Sequence, residues 1–124
     1  MADNYSLLSF DGQDDYLEIP HSDQLNFAND QAKDQNFTIE LWVRPEKVQA
    51  RTQETYNSIL EKGSGSGGFP YGIRYDNQSG KIQVIRSDGT NFATISSTKA
   101  INDDNFHHVA FVKDSSTLYL YLDG

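Results

Sequence analysis

Three aromatic and two charged residues stand at alternate positions of two strand-like segments. Glu40, Trp42 and Arg44 follow one another at a spacing of two residues, and Tyr119 and Tyr121 do the same further along. Because alternate residues of a strand point to the same face, each set would share one surface. Sugars bind such surfaces, since their C–H faces stack on rings while carboxylates and guanidinium groups bond their hydroxyls. The alternative is that the rings fill a second apolar layer beneath a long neighbouring loop.

Further candidate ligand-binding residues lie around the ends of the predicted strands. Binding residues concentrate on loops that a rigid scaffold carries, so these positions compete with the Trp42 surface. Tyr71 is the member of this group that we expect to join Glu40, Trp42, Arg44, Tyr119 and Tyr121 in binding. The group comprises Tyr56, Phe69, Tyr71, Tyr75, Asn77, Asn91 and Phe92.

Asp11, Asp14 and Asp15 place three carboxylates in one glycine-containing turn. Hard oxygen ligands suit Ca²⁺, so this turn is a candidate calcium site. The alternative is structural, since aspartate favours turns by hydrogen-bonding its own backbone. The 12-residue EF-hand pattern with its terminal glutamate is absent.

The neighbouring His107 and His108 would point to opposite faces of a strand, which places them poorly to share a metal ion. The sequence contains no Gly-x-Ser-x-Gly elbow and no P-loop. The Gly-x-Gly-x-x-Gly spacing at residues 63–68 precedes a predicted strand and not a helix, so it is no dinucleotide fingerprint. The residues therefore favour a non-catalytic protein.

The bulk composition limits the classes of partner. A chain of 124 residues is long enough for one domain, and it contains no cysteine for a disulfide or a thiolate metal site. Its net charge of −8 argues against nucleic acid and against anionic lipid as partners. No segment approaches the ~20 apolar residues of a membrane span, and residues 1–4 lack the features of a signal peptide. The sequence alone leaves a cytoplasmic location open.

Short runs of alternating apolar and polar residues, separated by Gly, Asn and Asp, dominate the sequence. In residues 37–44 the apolar positions Phe37, Ile39, Leu41 and Val43 fall on one face. We predict an all-β antiparallel sandwich or jelly roll, with 46–56 and 63–68 as loops. The predicted strands are 5–10, 15–19, 37–44, 57–62, 70–75, 81–86, 92–97, 106–113 and 117–122. The predicted core contains Phe37, Ile39, Leu41, Val43, Ile82, Val84, Leu118, Leu120 and Leu122.

Three segments carry a resemblance to a known family. They are residues 8–20 (LSFDGQDDYLEIP), 37–45 (FTIELWVRP), and 106–112 (FHHVAFV) followed by 118–124 (LYLYLDG). In order and spacing they resemble the laminin-G-like and pentraxin-like domains of the concanavalin A-like lectin/glucanase superfamily. Phe106 stands where those domains usually have tryptophan.

The resemblance implies that residues 1–124 form a single laminin-G-like domain, corresponding to its N-terminal two-thirds. Such domains usually continue past the Asp-Gly pair, so we expect a sandwich that is incomplete at its C-terminus or completed by another chain or a second copy. The pentraxin calcium site does not carry over, because the matching loop at 63–68 has no carboxylate. The strand motif Glu-x-Asp-x-x-Glu of the related glucanases is also absent.

The resemblance favours a non-catalytic glycan-binding module, calcium-dependent if the acidic turn binds the ion, within a larger adhesion or carbohydrate-active protein. Its partner would be a glycan or glycoprotein, and its location extracellular or at the cell surface. The alternative is a protein–protein or assembly module that uses sheet edges or rim loops and includes homo-oligomers.

Overall fold

Seven strands build the protein in a computed structural model, which describes residues 6–27, 35–46, 54–63, 70–87 and 90–124. A four-residue 3-10 helix, Asp23–Asn26, precedes the strands. No helix in these ranges has the length and apolar character of a membrane span. The strands are β1 (Phe37–Val43), β2 (Tyr56–Lys62), β3 (Tyr71–Asp76), β4 (Lys81–Ser87), β5 (Phe92–Ala100), β6 (His107–Asp114) and β7 (Thr117–Leu122).

The strands form two antiparallel sheets, one of three strands in the order β1-β6-β7 and one of four in the order β2-β3-β4-β5. In the three-stranded sheet the register sets Trp42 opposite His108 and Ala110 opposite both Glu40 and Tyr121. In the four-stranded sheet the turn from β3 to β4 ends at Gly80, whose positive φ of 70° suits glycine. The all-β antiparallel fold is therefore confirmed.

The core lies between the two sheets. Phe37 contacts the rings of Phe111 and Phe27, with centroids 5.3 and 4.5 Å away, and Phe27 in turn lies 5.0 Å from the ring of Tyr71. Of the predicted core, Phe37, Ile82 and Val84 are buried, while the other six residues are half-buried and pack against them. The buried residues that the sequence prediction missed are Tyr71, Ile73, Tyr75, Ile85, Ile101, Val109, Ala110 and Phe111.

The predicted strands from residue 37 onward correspond to β1–β7 within a few residues at each end. The two predicted strands before them are wrong: residues 6–10 and 15–19 contain no strand, and residue 5 lies outside the described residues. A strand persists only where its backbone groups pair with a neighbour, and no strand of the two sheets pairs with this segment. The predicted loops fall mainly on residues 47–53 and 64–68, which lie outside the described ranges.

Candidate functional site

Strand pairing brings the predicted aromatic residues onto one surface. Trp42 on β1 and Tyr119 and Tyr121 on β7 lie on the face of the three-stranded sheet that points away from the core, on either side of β6. Adjacent strands lie ~4.8 Å apart, so two strand spacings, roughly 10 Å, separate the tryptophan strand from the tyrosine strand. We call this surface, formed by Glu40, Trp42, Arg44, Tyr119 and Tyr121, the aromatic face.

The three rings of the aromatic face are open to solvent. Trp42 is 68% exposed, Tyr119 41% and Tyr121 46%. The two tyrosine rings are stacked, with centroids 6.2 Å apart and an interplanar angle of 20°. Between β1 and β7, the β6 residues His108, Ala110 and Val112 share this face. His108 lies opposite Trp42, whereas Ala110, between Glu40 and Tyr121, presents only a methyl group. The result is a shallow surface with a ring on one side and a pair of rings on the other.

The charged members of the aromatic face have neighbours of their own. The guanidinium of Arg44 lies over the Phe106 ring, 5.2 Å from its centroid. The Nε2 atom of His108 lies 3.4 Å from the Glu40 carboxylate, and its ring centroid lies 5.2 Å from that of Trp42. His108 and Phe106 therefore extend the surface, although neither was among the predicted ligand-binding residues. The signal was present, because residues 106 and 108 share the face of 110 by alternation.

Tyr71 does not lie on this surface. It belongs to β3, is only 5% exposed and packs against Phe27 and Phe37 in the core. Burial raises the pKa of its phenol, as it does for Tyr75 two residues later on the same strand. The placement of Tyr71 and Tyr75 at the rim was therefore wrong. The Tyr71 ring is instead part of the scaffold.

The remaining rim candidates are dispersed. Tyr56 lies under the guanidinium of Arg74, 3.6 Å from the ring centroid to Cζ. Asn77 donates hydrogen bonds to the Glu54 carbonyl and to the Asn57 side chain. Phe92 is 63% exposed at the start of β5, and Phe69 lies outside the described residues. Of the candidates that the structure describes, Tyr56, Asn77 and Phe92 do not form a second cluster of exposed rings.

The acidic turn holds its three carboxylates together. Oxygens of Asp11, Asp14 and Asp15 all lie within 4.8 Å of one another, on exposed side chains. Asp11 accepts a hydrogen bond from the Gln13 amide, and Asp15 accepts one from the Asp11 amide, as the structural alternative expects. Ca²⁺ takes about 6–8 oxygens, so three carboxylates that give one oxygen each would supply at most half of its ligands. The donor type fits calcium, but the site is not enclosed.

His107 forms a separate ionic cluster at one end of β6. Its Nδ1 lies 2.8 Å from Asp123 Oδ2 and its Nε2 lies 2.9 Å from Asp103 Oδ1. These hydrogen bonds raise the pKa of His107 above its ordinary value. In return, the hydrogen bond from His107 is the main cause that lowers the pKa of Asp103, to about 2, and that of Asp123. The imidazolium therefore joins the loop before β6 to the residue after β7.

Comparison with known protein families supports a lectin-type fold. Residues 11–124 match a laminin G family model described as the concanavalin A-like lectin/glucanases superfamily. The match includes the acidic turn and both strands that carry the aromatic face. No curated protein and no solved structure has significant similarity to the chain.

Proposed function

The chain belongs to the concanavalin A-like lectin/glucanase superfamily, and from this membership we propose that it is a non-catalytic glycan-binding module whose site is the aromatic face. The observation that carries the proposal is the exposure of Trp42, Tyr119 and Tyr121 on one rigid sheet. Because soluble proteins normally cover large apolar surfaces, several exposed rings on one face indicate an interaction site.

The spacing of the rings suits an extended ligand. Trp42 and the tyrosine pair flank β6, and the small side chain of Ala110 leaves the floor low between Glu40 and Tyr121. A glycan chain laid across the three strands would stack one sugar on Trp42 and another on the tyrosines. Glu40, His108 and Arg44 lie beside Trp42, where a carboxylate, an imidazole and a guanidinium offer both acceptors and donors to hydroxyls.

The test is a binding screen against immobilised glycans, followed by titration of each ligand found. We expect Trp42→Ala to weaken binding at least about tenfold, equivalent to ~1.4 kcal/mol, because stacking on the indole is lost. The matched control is Phe92→Ala, which removes an equally exposed ring from the other sheet. Equal losses in both variants, or release of reducing ends from a bound glycan, would contradict the proposal.

Calcium dependence is a separate part of the proposal and is tested in the same screen with Ca²⁺ or a chelator. If Asp11, Asp14 and Asp15 hold an ion that supports binding, the chelator will abolish it and Asp14→Asn will weaken it. Binding that survives chelation would limit the site to the aromatic face. Glycan recognition of this kind suits an extracellular or cell-surface protein.

A second candidate function, assembly through a protein partner, is favoured by one observation. Residues 6–20 contain no strand, yet six large apolar side chains in this segment are more than half exposed. An alternating apolar segment without a partner strand is suited to pairing with another chain, including a second copy. The six residues are Leu7, Leu8, Phe10, Tyr16, Leu17 and Ile19. Light scattering across concentrations tests this function, and a monomer at every concentration would exclude self-assembly.

A further inference from the structure

The four-stranded sheet carries a groove on the face that points away from the core. Tyr71, Ile73 and Tyr75 of β3 point into the core, so Gly72 and Arg74 belong to the opposite face. The register places Gly72 between Glu61 of β2 and Ile85 of β4. The space above these residues measures about 360 Å³, within the ~300–1,000 Å³ range of small-ligand pockets.

Gly72 creates the depth of this groove. Among the described residues, a Cβ built on Gly72 would have two neighbours within 4 Å, the Glu61 Cβ and the Leu60 carbonyl oxygen, both at an ordinary 3.8 Å. The φ angle of Gly72 is not positive, so neither crowding nor backbone geometry requires a glycine at this position. Glycine inside a strand weakens it and often marks close approach by a ligand. The missing side chain therefore leaves room where the strand itself needs none.

The walls of the groove are polar and held in place. The Arg74 guanidinium stacks on the Tyr56 ring and donates through both Nε and Nη2 to the Gln83 side-chain oxygen. On β2, the Ser58 hydroxyl donates a 2.5 Å hydrogen bond to Glu61 Oε2. Side chains fixed by such contacts lose little conformational freedom when a ligand binds.

We propose that this space, the Gly72 groove, is a second binding site for one residue of an uncharged glycan. Among the described residues that line the groove, Glu54 and Glu61 are acidic and Arg74 is basic, so this part of the lining carries a net negative charge that opposes sulfated or phosphorylated ligands. Gly72 and Ile85, which are both buried, form an apolar floor on which the C–H face of a sugar ring would rest. The ligand class, but not the site, rests on the proposed function.

The experiment counts sugar sites on the full chain by calorimetric and NMR titration with neutral glucose, mannose and galactose hexasaccharides. We expect two sites on the wild type, one on Gly72→Val, one on Trp42→Ala and none on the double variant. Gly72→Val also raises the melting temperature, because a β-branched residue suits the strand better than glycine. The matched control is Thr94→Val, on the same face and row but outside the groove, which leaves both sites intact.

Glu61→Gln supplies an independent variant with the same shape and one charge fewer. It will bind the neutral hexasaccharides more weakly at the groove and will tolerate a sulfated hexasaccharide better than the wild type does. A site in the groove that takes a pentalysine peptide but no neutral sugar would overturn the proposal.

The pattern of losses separates the two proposals. A single wild-type site that is lost in Trp42→Ala and kept in Gly72→Val would refute the groove and retain the aromatic face. A single site lost only in Gly72→Val would refute the aromatic face and retain the groove. Absence of any sugar binding to the wild type would refute both.

Discussion

Two segments of this chain alternate apolar and polar residues in much the same way, but only one of them forms a strand. In β1 the side chains of Phe37, Ile39, Leu41 and Val43 are buried or half-buried against the core. In residues 6–20 every residue is exposed and no strand forms. Both segments contain short runs of alternating apolar and polar residues, and they differ in what each one contacts.

The contact that distinguishes the two segments is a paired neighbour. β1 pairs along its whole length with β6, from Phe37 opposite Lys113 to Val43 opposite His107. That pairing satisfies backbone groups, and the register then directs the apolar side chains onto Phe111 and Val109. Alternation thus selects which face is buried, while pairing decides whether the strand exists.

Phe111→Ala tests the paired side of this comparison and has the largest expected effect. Phe111 is fully buried at the centre of the three-stranded sheet, with its ring edge against Phe37 at 5.3 Å between centroids. Its truncation leaves a cavity and will lower the free energy of unfolding by about 3–5 kcal/mol. Urea denaturation measures the loss. A loss below about 1 kcal/mol would mean that β6 does not organise this core.

The same distinction explains how much of the fold the sequence predicts. Every strand from β1 to β7 was predictable, because each of these runs has a paired neighbour in one of the two sheets. The two strands predicted at 5–10 and 15–19 were wrong because an alternating pattern does not show whether a neighbouring strand is present to pair with. The buried Val109 and Phe111 were missed because that run is apolar on both faces, which hides the period of two.

The candidate site was predictable where alternation alone decides exposure. Trp42, Tyr119 and Tyr121 came from the polar side of two clear strands and lie together on one face. The prediction for Tyr71 was wrong because this residue was assigned to a rim. Ile73 and Tyr75 share its face of the strand, and all three side chains are buried. Gly72 carried a signal of its own, a glycine inside an apolar strand, but its role depends on Glu61 and Arg74, which only strand pairing brings beside it.

The pH dependence of the unfolding free energy tests the contact of His107 with Asp103 and Asp123, at one end of the paired strands β6 and β7. We expect this effect to be smaller than that of Phe111→Ala. His107 has a pKa raised chiefly by its hydrogen bond to Asp103, so its contribution is complete below the unfolded value near 6.5 and is lost as pH rises through the folded pKa. Asp103 and Asp123 have lowered pKa values, so their contribution is present above the unfolded value of 3.8 and is lost as pH falls through the folded values. The contact therefore stabilises the folded protein most between the unfolded pKa of the two aspartates, 3.8, and that of the histidine, 6.5.

His107→Gln measures this contact against the wild type at each pH. We expect the difference in unfolding free energy between the two proteins to shrink from mildly acidic to alkaline pH, as the imidazolium loses its proton. An NMR titration of the His107 ring supplies a direct readout, with a midpoint above 6.5 that falls in the control variant Asp103→Asn. A midpoint at or below 6.5 in the wild type would contradict the assignment.

Phe10→Ala tests the unpaired side of the comparison and has the smallest expected effect. Phe10 is 52% exposed in a segment that forms no strand, so its truncation in the monomer will change the unfolding free energy by no more than about 0.5 kcal/mol. The substitution lowers the unfolding free energy further only if residues 6–20 pair with another chain.

In that case the unfolding free energy of the wild type, and its difference from that of Phe10→Ala, would increase with protein concentration. A difference that stays small at every concentration means that no second copy covers the segment. A large difference at the lowest concentration would mean that Phe10 is buried within one chain, and the contrast with β1 would be wrong.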